Sequence, residues 1–168
     1  APDAGAAALA RFENVRRRME VRGSVAREGG AITVYDDFAH HPTAIRTTLD
    51  GLRRRLDQGS TGRPARILAV FEPRSNTMKL GTMKAQLPWA LKEADLAFCH
   101  TAGLDWDAAQ ALEPLGAAGR TADNIATLVQ QVMAAVQPND TIVCMSNGGF
   151  GGVHTQLLAA LAEKFSAQ

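Results

Sequence analysis

Short apolar runs of strand length alternate with helical patterns along most of this chain. The runs RILAVFEP, DLAFCHT and DTIVCMSN carry charges only towards their ends, which is typical of strands covered on both faces. Between and after them, PTAIRTTLDGLRRRL, TADNIATLVQQVMAAV and GGVHTQLLAALAEKF place apolar residues at helical spacing. We therefore predict an α/β fold, a three-layer Rossmann-like domain with a mostly parallel sheet and helices on both faces.

Other segments refine this architecture. RMEVRGSV and AITVYDDF, separated by AREGGA, predict a hairpin that adds an antiparallel edge strand at the N-terminal side of the sheet. TMKAQLPWALKEA indicates a helix in which Pro88 marks a kink or a later start. DWDAAQALEPLG indicates a short helix or irregular structure. For the helix in TADNIATLVQQVMAAV, Thr121 or Asp123 is the expected N-cap.

Composition limits the classes of function. The 168 residues suffice for one compact domain, and the net charge of +1 gives no electrostatic argument for binding nucleic acid or an anionic membrane. The arginine clusters in NVRRRMEVR and GLRRRL are interpreted as solvated faces. No apolar run has the length of a membrane span. Cys99 and Cys144 lie within apolar runs, so we expect buried free thiols and a reducing cytoplasm.

Polar clusters follow three of the predicted strands. They are DDFAHHP (36–42), FEPRSNT (71–77) and SNGGFGG (146–152). In an open sheet of this kind, ligands bind beyond the carboxyl ends of the strands. Because these clusters all follow strand ends, we predict that they meet at one edge of the sheet and form one site.

The first cluster has the chemistry of a nucleotide site. It precedes a helix, whose N-terminus favours an anion such as phosphate, and an aspartate at a strand end can accept hydrogen bonds from a ribose diol. His40 or His41 would face the phosphate or a substrate carboxylate. Alternatively, Asp36 or Asp37 caps the helix and one histidine is a satisfied neighbour. We predict no metal site, because adjacent strand residues point to opposite faces and the two aspartates would not share an ion.

The other two clusters favour binding over catalysis. Arg74 offers a fork for a carboxylate, with Ser75, Asn76 and Thr77 as hydrogen-bonding partners, although the same segment is compatible with a polar turn that caps the next helix. Asn147 lies within reach of the site, while the glycines around it favour a packing turn. The chain contains neither G-x-G-x-x-G nor G-x-x-x-x-G-K-[ST], and no nucleophile elbow.

Together these motifs resemble a known family. DDFAHHPTAI resembles the signature that opens the C-terminal domain of Mur ligases, and DFAHHP is also similar to the D-G-A-H-N-P motif of folylpolyglutamate synthases. FENVRRRMEVRG looks like the junction from the central ATPase domain. The resemblance implies that residues 1–17 are the tail of that domain and its linker, and that 18–168 are the C-terminal domain, which binds substrate and closes over ATP.

The resemblance also implies roles for single residues. Arg18 and Asp37 would hold the ATP ribose, and His40 would lie where the γ-phosphate meets the incoming amino acid. Arg74, Ser75, Asn76, Thr77, His41 and Asn147 would contact the substrate. ATP and Mg²⁺ are the implied cofactors, with the Mg²⁺ ligands mainly on the central domain. Without a Walker-type loop, this domain should be inactive by itself.

Within the family, FEPRSNTMK and SNGGFGGVHTQLLAAL look most like the branch that recycles murein in the bacterial cytoplasm. The implied reaction joins the tripeptide L-Ala-γ-D-Glu-meso-diaminopimelate to UDP-N-acetylmuramate through an acyl phosphate. The implied partners are these two substrates and the N-terminal and central domains of the same chain. Ser75 and Met78 stand where the L-alanine-adding branch carries arginines, which favours a larger peptide.

Three alternatives stay open at this point. They are the L-alanine-adding sibling, a nicotinamide-binding Rossmann domain of a dehydrogenase, and a non-catalytic module that keeps the fold without the site. The dehydrogenase would need the missing G-x-G-x-x-G. The non-catalytic module predicts that replacing Asp37 or His40 by alanine has no effect on the full-length protein.

Overall fold

The computed structural model of the chain describes residues 16–60, 62, 64–79 and 81–166. Its strands are β1 (Glu20–Val25), β2 (Ile32–Asp37), β3 (Ile67–Phe71), β4 (Leu96–His100), β5 (Gly119–Ala122) and β6 (Thr141–Met145). Its helices are α1 (Pro42–Gln58), α2 (Asn76–Lys79), α3 (Leu87–Ala90), α4 (Ala108–Leu112), α5 (Ile125–Ala135) and α6 (Val153–Ser166). Short 3₁₀ turns occupy Lys84–Gln86, Glu113–Ala118 and Phe150–Gly152.

The six strands form one sheet in the order β1-β2-β6-β3-β4-β5. β1 pairs with β2 antiparallel, and every other neighbouring pair is parallel. This arrangement confirms the predicted α/β fold, including the hairpin and its antiparallel edge strand. The order also makes β2, β6 and β3 direct neighbours at the centre of the sheet.

Each face of the sheet carries its own apolar core. α1 packs Ile45, Leu49 and Leu52 on one face, together with residues of the segment from α2 to α4. α5 and α6 cover the other face. β3 and β6 are buried at every position, because helices cover both of their sides. None of the described helices is long and apolar enough to cross a bilayer.

Cys99 and Cys144 are buried free thiols, as predicted. Cys99 lies in β4 and faces the core beneath α1, whereas Cys144 lies in β6 and faces the core beneath α6. Burial raises the pKa of both thiols. Both are therefore protonated at neutral pH and pack as small apolar side chains.

Two local predictions need correction, and one strand was not predicted. The predicted helix over 82–94 is reduced to a 3₁₀ turn and the four residues of α3, with Pro88 near its start. β5 was not predicted, because this four-residue edge strand is mostly half-buried and has no apolar run. The N-cap of α5 is Asn124, which accepts from Thr127 N at 2.8 Å, whereas Thr121 lies in β5 and Asp123 Oδ1 accepts from Asn124.

The interpretation of GLRRRL as a solvated face is wrong for Arg53. This side chain is 19% exposed and donates to Asp95 at 2.6 Å and to the Ala65 and Glu93 carbonyls. Arg55 lies over the Tyr35 ring at 5.2 Å. The end of α1 lies close to the amino ends of β3 and β4, so arginines on this turn serve as structural contacts.

Candidate functional site

The three polar clusters meet at the carboxyl edge of β2, β6 and β3. Ser146 N donates to the Asp37 carbonyl at 3.1 Å, and Glu72 N donates to the Met145 carbonyl at 3.1 Å. These two bonds extend the sheet pairing past the ends of the strands and tie each cluster to the next. The prediction that the clusters share one edge of the sheet is confirmed.

Asp36 and Asp37 point to opposite faces of β2, as the strand pleat requires. Asp37 is 4% exposed. Its Oδ2 accepts from Met19 N at 2.8 Å, and its Oδ1 accepts from Ala39 N at 2.9 Å and from Thr48 Oγ1 at 3.1 Å. Neither aspartate caps α1, because the N-cap residue is His41. All three donors are uncharged, so within the described residues the Asp37 carboxylate has no cationic partner.

Asp37 lies beside a hollow of about 350 Å³, a volume within the range of small-molecule sites. Its wall contains one cation and one histidine among mainly apolar groups. The lining residues are Arg18, Asp37, Phe38, Ala39, His40, Ala44, Thr47 and Thr48. A carboxylate acceptor and an aromatic ring, with Phe38 42% exposed, have the chemistry that a ribose and its base require. The residues present therefore fit a nucleoside.

The two adjacent histidines contact each other at the start of α1. His40 Nδ1 lies 2.9 Å from the Phe38 carbonyl. Because a carbonyl only accepts, Nδ1 carries a proton, and in the neutral ring Nε2 is the acceptor. The His40 ring meets the Phe38 ring edge-on at 5.4 Å and lies 4.2 Å from the His41 ring. This geometry directs the chemistry of His40 through Nε2.

The Arg74 side chain lies against Gly148, and this contact joins the second and third clusters. A Cβ at Gly148 would come within 2.7 Å of Arg74 Cδ and Nε, so the arginine occupies the space that only glycine leaves. The Arg74 side chain is exposed, and within the described part of the chain its guanidinium has no hydrogen bond or ion pair. It is a fork that is available for an anion.

The residues after Arg74 form the short helix α2. Ser75 Oγ accepts from Met78 N at 3.3 Å, which is the capping role of the alternative interpretation. Asn76 is exposed at the first position of α2. Thr77 lies in α2, and its side chain is outside the described part. The prediction that these residues contact substrate stays a prediction.

A network that sequence reasoning missed supports the glycine-rich turn. Ser146 Oγ donates to Glu72 Oε2 at 2.7 Å and accepts from Gly148 N at 3.0 Å. His100 Nδ1 lies 3.5 Å from Glu72 Oε1. Asn147 Oδ1 is buried and, within the described residues, has no hydrogen-bond partner. The only sequence signal for Glu72 and Ser146 was their place directly after strands.

The opposite face of β2 carries a second charged group. Asp36 pairs with Arg17 at 3.2 Å and lies 3.9 Å from Arg22. Arg22 Nη2 also contacts His154 Nε2 at 2.9 Å. Burial, followed by the charge of Arg22, lowers the pKa of His154. A neutral imidazole therefore accepts from the arginine here.

Comparison with known proteins shows a family to which the sequence is similar. Residues 17–148 match the family model described as Mur ligase, glutamate ligase domain. The chain is 47% identical over 168 residues to the UDP-N-acetylmuramate–L-alanyl-γ-D-glutamyl-meso-2,6-diaminoheptandioate ligase of Escherichia coli K12. The aligned region covers 99% of the chain and 35% of that relative. The Haemophilus influenzae ligase of the same name is 44% identical over 158 residues, covering 94% of the chain and 33% of the relative.

A solved structure shows the same likeness. The murein peptide ligase of Psychrobacter arcticus superposes with a TM-score of 0.72 at 39% identity, covering 92% of this chain and 32% of that protein. The chain thus spans about a third of the length of the relatives it matches. The match covers the hollow, Arg74 and Asn147 alike, because all lie between residues 17 and 148.

Proposed function

This chain belongs to the Mur ligase family, and we propose that it is the C-terminal domain of an ATP-dependent ligase that joins L-Ala-γ-D-Glu-meso-diaminopimelate to UDP-N-acetylmuramate. In this proposal residues 18–168 are that domain, and 1–17 are the linker and the tail of the central ATPase domain. Residues 1–15 lie outside the described part of the chain. The proposal places the enzyme in the bacterial cytoplasm, in keeping with two free thiols.

One observation carries the proposal. The nucleoside-sized hollow beside Asp37 and the unpaired fork of Arg74 lie on adjoining parts of the same sheet edge. A ligase of this kind must hold a nucleotide and a peptide with carboxylates next to each other, because orientation of the two reactants supplies much of the rate. The edge offers both sites within one rigid frame.

The residues divide between the two ligands. Arg18 and Asp37 hold the ribose of ATP, with Phe38 against the base. His40 Nε2 faces the position where the γ-phosphate and the incoming amine meet. Mg²⁺ belongs to the same proposal, with its ligands on the central domain, where it would neutralise phosphate charge.

Arg74 binds a carboxylate of the tripeptide, and the residues around it complete that site. The proposal assigns the same ligand to Ser75, Asn76, Asn147 and His41, and to Thr77, which lies in α2. Ser75 and Met78 replace the arginines of the L-alanine-adding branch. With uncharged side chains at positions 75 and 78, the site suits a peptide whose other groups find polar, uncharged partners.

The chemistry assigned to these residues is positioning. The lactyl carboxylate of UDP-N-acetylmuramate accepts the γ-phosphoryl group of ATP, and ADP leaves. The free amine of the tripeptide then attacks the resulting acyl phosphate, and inorganic phosphate leaves as the amide forms and the amine gives up a proton. Arg74 holds the peptide while Asp37 and Arg18 hold the nucleotide. The donors on this edge offset the negative charge that develops during attack.

The test uses the full-length ligase with ATP, Mg²⁺ and UDP-N-acetylmuramate, following phosphate release. We expect turnover with the tripeptide and none with L-alanine, and no phosphate release when the UDP-sugar is omitted. Turnover with L-alanine alone would transfer the assignment to the sibling activity. No turnover with either amine would contradict the proposed function.

A further inference from the structure

Arg17 binds two of the three polar clusters at once. Its guanidinium donates through Nε to Asp36 Oδ2 at 3.2 Å and through Nη2 to the Ser146 carbonyl at 2.7 Å. Its own carbonyl accepts from Phe38 N at 2.7 Å. The segment that enters the domain is therefore bound to the ends of both β2 and β6.

The backbone around Arg17 is strained in a way that requires such contacts. Arg17 and Met19 have φ values of 61° and 47°, in the left-handed region that non-glycine residues rarely occupy. Conformations of this kind persist where surrounding contacts hold them. Met19 N donates to Asp37 Oδ2 at 2.8 Å, so both strained residues are fixed to the cluster by hydrogen bonds.

Arg18 lies between these two fixed residues. Arg17 and Met19 engage the sheet edge, and Arg18 instead lines the hollow together with Asp37. Within the described part of the chain, Arg18 makes no hydrogen bond or ion pair that would hold it there. Its position is therefore set by its neighbours.

We propose that Arg17 is a positioning residue for the nucleotide site: it locks the entering segment onto Asp36 and Ser146, and it thereby directs Arg18 into the hollow beside Asp37. The inference rests on the proposed function for the identity of the nucleotide. It adds that the segment leading into the domain and the two clusters move as one unit. A shift of that segment would reach the ribose site through Arg18 and the glycine-rich turn through Ser146.

Burial makes the Arg17 contact difficult to replace. The Asp36 side chain is 5% exposed and that of Arg17 is 27% exposed. Loss of the arginine leaves a buried carboxylate with Arg22, at 3.9 Å, as its remaining cation. Arg22 lies in β1 and contacts Glu20 and His154. It is thus a matched control, a second cation near Asp36 that does not touch Ser146 or Phe38.

The experiment compares Arg17→Gln, Arg17→Lys and Arg22→Gln in the full-length ligase. We expect Arg17→Gln to raise the KM for ATP about tenfold or more, since a small misplacement of a binding group has effects of this order. Arg17→Lys should recover part of the loss, because lysine can pair with Asp36 but lacks the second donor direction for the Ser146 carbonyl. Arg22→Gln should stay within about twofold of the wild type.

A second readout does not depend on activity. Hydrogen exchange of the Phe38 and Met19 amides should speed up in Arg17→Gln and stay unchanged in Arg22→Gln, because both amides donate within the locked segment. The inference is overturned if Arg17→Gln keeps the wild-type KM for ATP. It is also overturned if Arg22→Gln shows the same changes as Arg17→Gln in both readouts. A wild-type enzyme without turnover refutes the proposed function, whereas the exchange comparison still decides whether Arg17 locks the segment.

Discussion

The amino and carboxyl ends of the parallel strands form two edges of the sheet, which carry similar charged residues in different roles. At the amino edge, Arg66 binds Asp140 through two bonds of 2.9 and 2.7 Å and donates to the Ala135 carbonyl. At the carboxyl edge, Arg18 and Arg74 have no hydrogen bond or ion pair within the described residues. Arg66 at the amino edge holds loops together, whereas Arg18 and Arg74 at the carboxyl edge are available to anionic ligands.

Two buried aspartates, Asp140 at the amino edge and Asp37 at the carboxyl edge, show this difference most clearly. Asp140 is 2% exposed, and in addition to its pair with Arg66 it accepts from Gln137 N at 2.7 Å. Asp37 is equally buried, and a hollow lies beside each of the two aspartates. Neither burial nor an adjoining hollow therefore separates them. The difference is that a cation neutralises Asp140, whereas Asp37 accepts only from uncharged donors within the described residues.

The largest effect is expected at the amino edge. Asp140→Ala should lower the free energy of unfolding by about 3 kcal/mol, because Arg66 is left without its partner. The arginine cannot become neutral to escape this cost, because a guanidinium stays protonated in proteins. Urea denaturation measures the effect. Asp57→Ala is the control, as its side chain is 51% exposed and 4.0 Å from Arg53; equal losses in both variants would contradict the comparison.

A large effect on activity, with little on stability, is expected at His40. His40→Ala should lower kcat of the full-length ligase about 100-fold, in the range for a group that assists proton transfer or stabilises charge. The folding midpoint should change little, because His40 makes one hydrogen bond to the Phe38 carbonyl.

Two further variants distinguish the roles of Nδ1 and Nε2 of His40. His40→Asn keeps a donor near the Nδ1 position and loses Nε2, whereas His40→Gln reaches the Nε2 position. We expect asparagine to behave like alanine and glutamine to keep part of the activity. If asparagine instead keeps more activity than glutamine, His40 acts through its contact with Phe38. Its role would then be structural, like that of Arg66 at the amino edge.

A smaller effect is expected from one methyl group under Arg74. Gly148→Ala should displace Arg74 and raise the KM for the tripeptide about tenfold, since a hydrogen bond to a charged group is worth roughly 1.5–3 kcal/mol. Gly149→Ala is the matched control, because its Cβ would meet no atom within 4 Å. Steady-state kinetics with varied tripeptide tests the pair. If both variants keep the wild-type KM, Arg74 does not bind the peptide.

The smallest effect concerns pH and His154. Its pKa is lowered in the folded state, chiefly by burial, so below its ordinary value of 6.5 the unfolded state binds the proton more readily. The contribution of neutral His154 to the free energy of unfolding is fully present above that pH and is lost as the pH falls towards the folded-state pKa. His154→Gln keeps an acceptor for Arg22 without titrating. Its urea midpoint should fall less steeply with acidification, and identical slopes would count against the assignment.

Much of the fold was predictable because its signals are local. The buried runs in β3, β4 and β6 and the helical spacing in α1 each depend on a few consecutive residues. β5 was missed because a short edge strand needs no apolar run, and it forms by pairing with β4. The cap of α5 was missed because three polar residues within four positions, Thr121, Asp123 and Asn124, all suit that role, and helix geometry selected Asn124.

The sequence by itself determined the order of strands and helices, and so which polar clusters follow strand ends. Only the tertiary structure decided what those side chains contact. Among the arginines before β1, Arg17 pairs with Asp36, 19 residues away, and with Ser146, 129 residues away, while Arg18 faces the hollow. Glu72 likewise meets Ser146 at a separation of 74 residues. Such partners come together only through strand order, because no local pattern encodes which strand lies beside which.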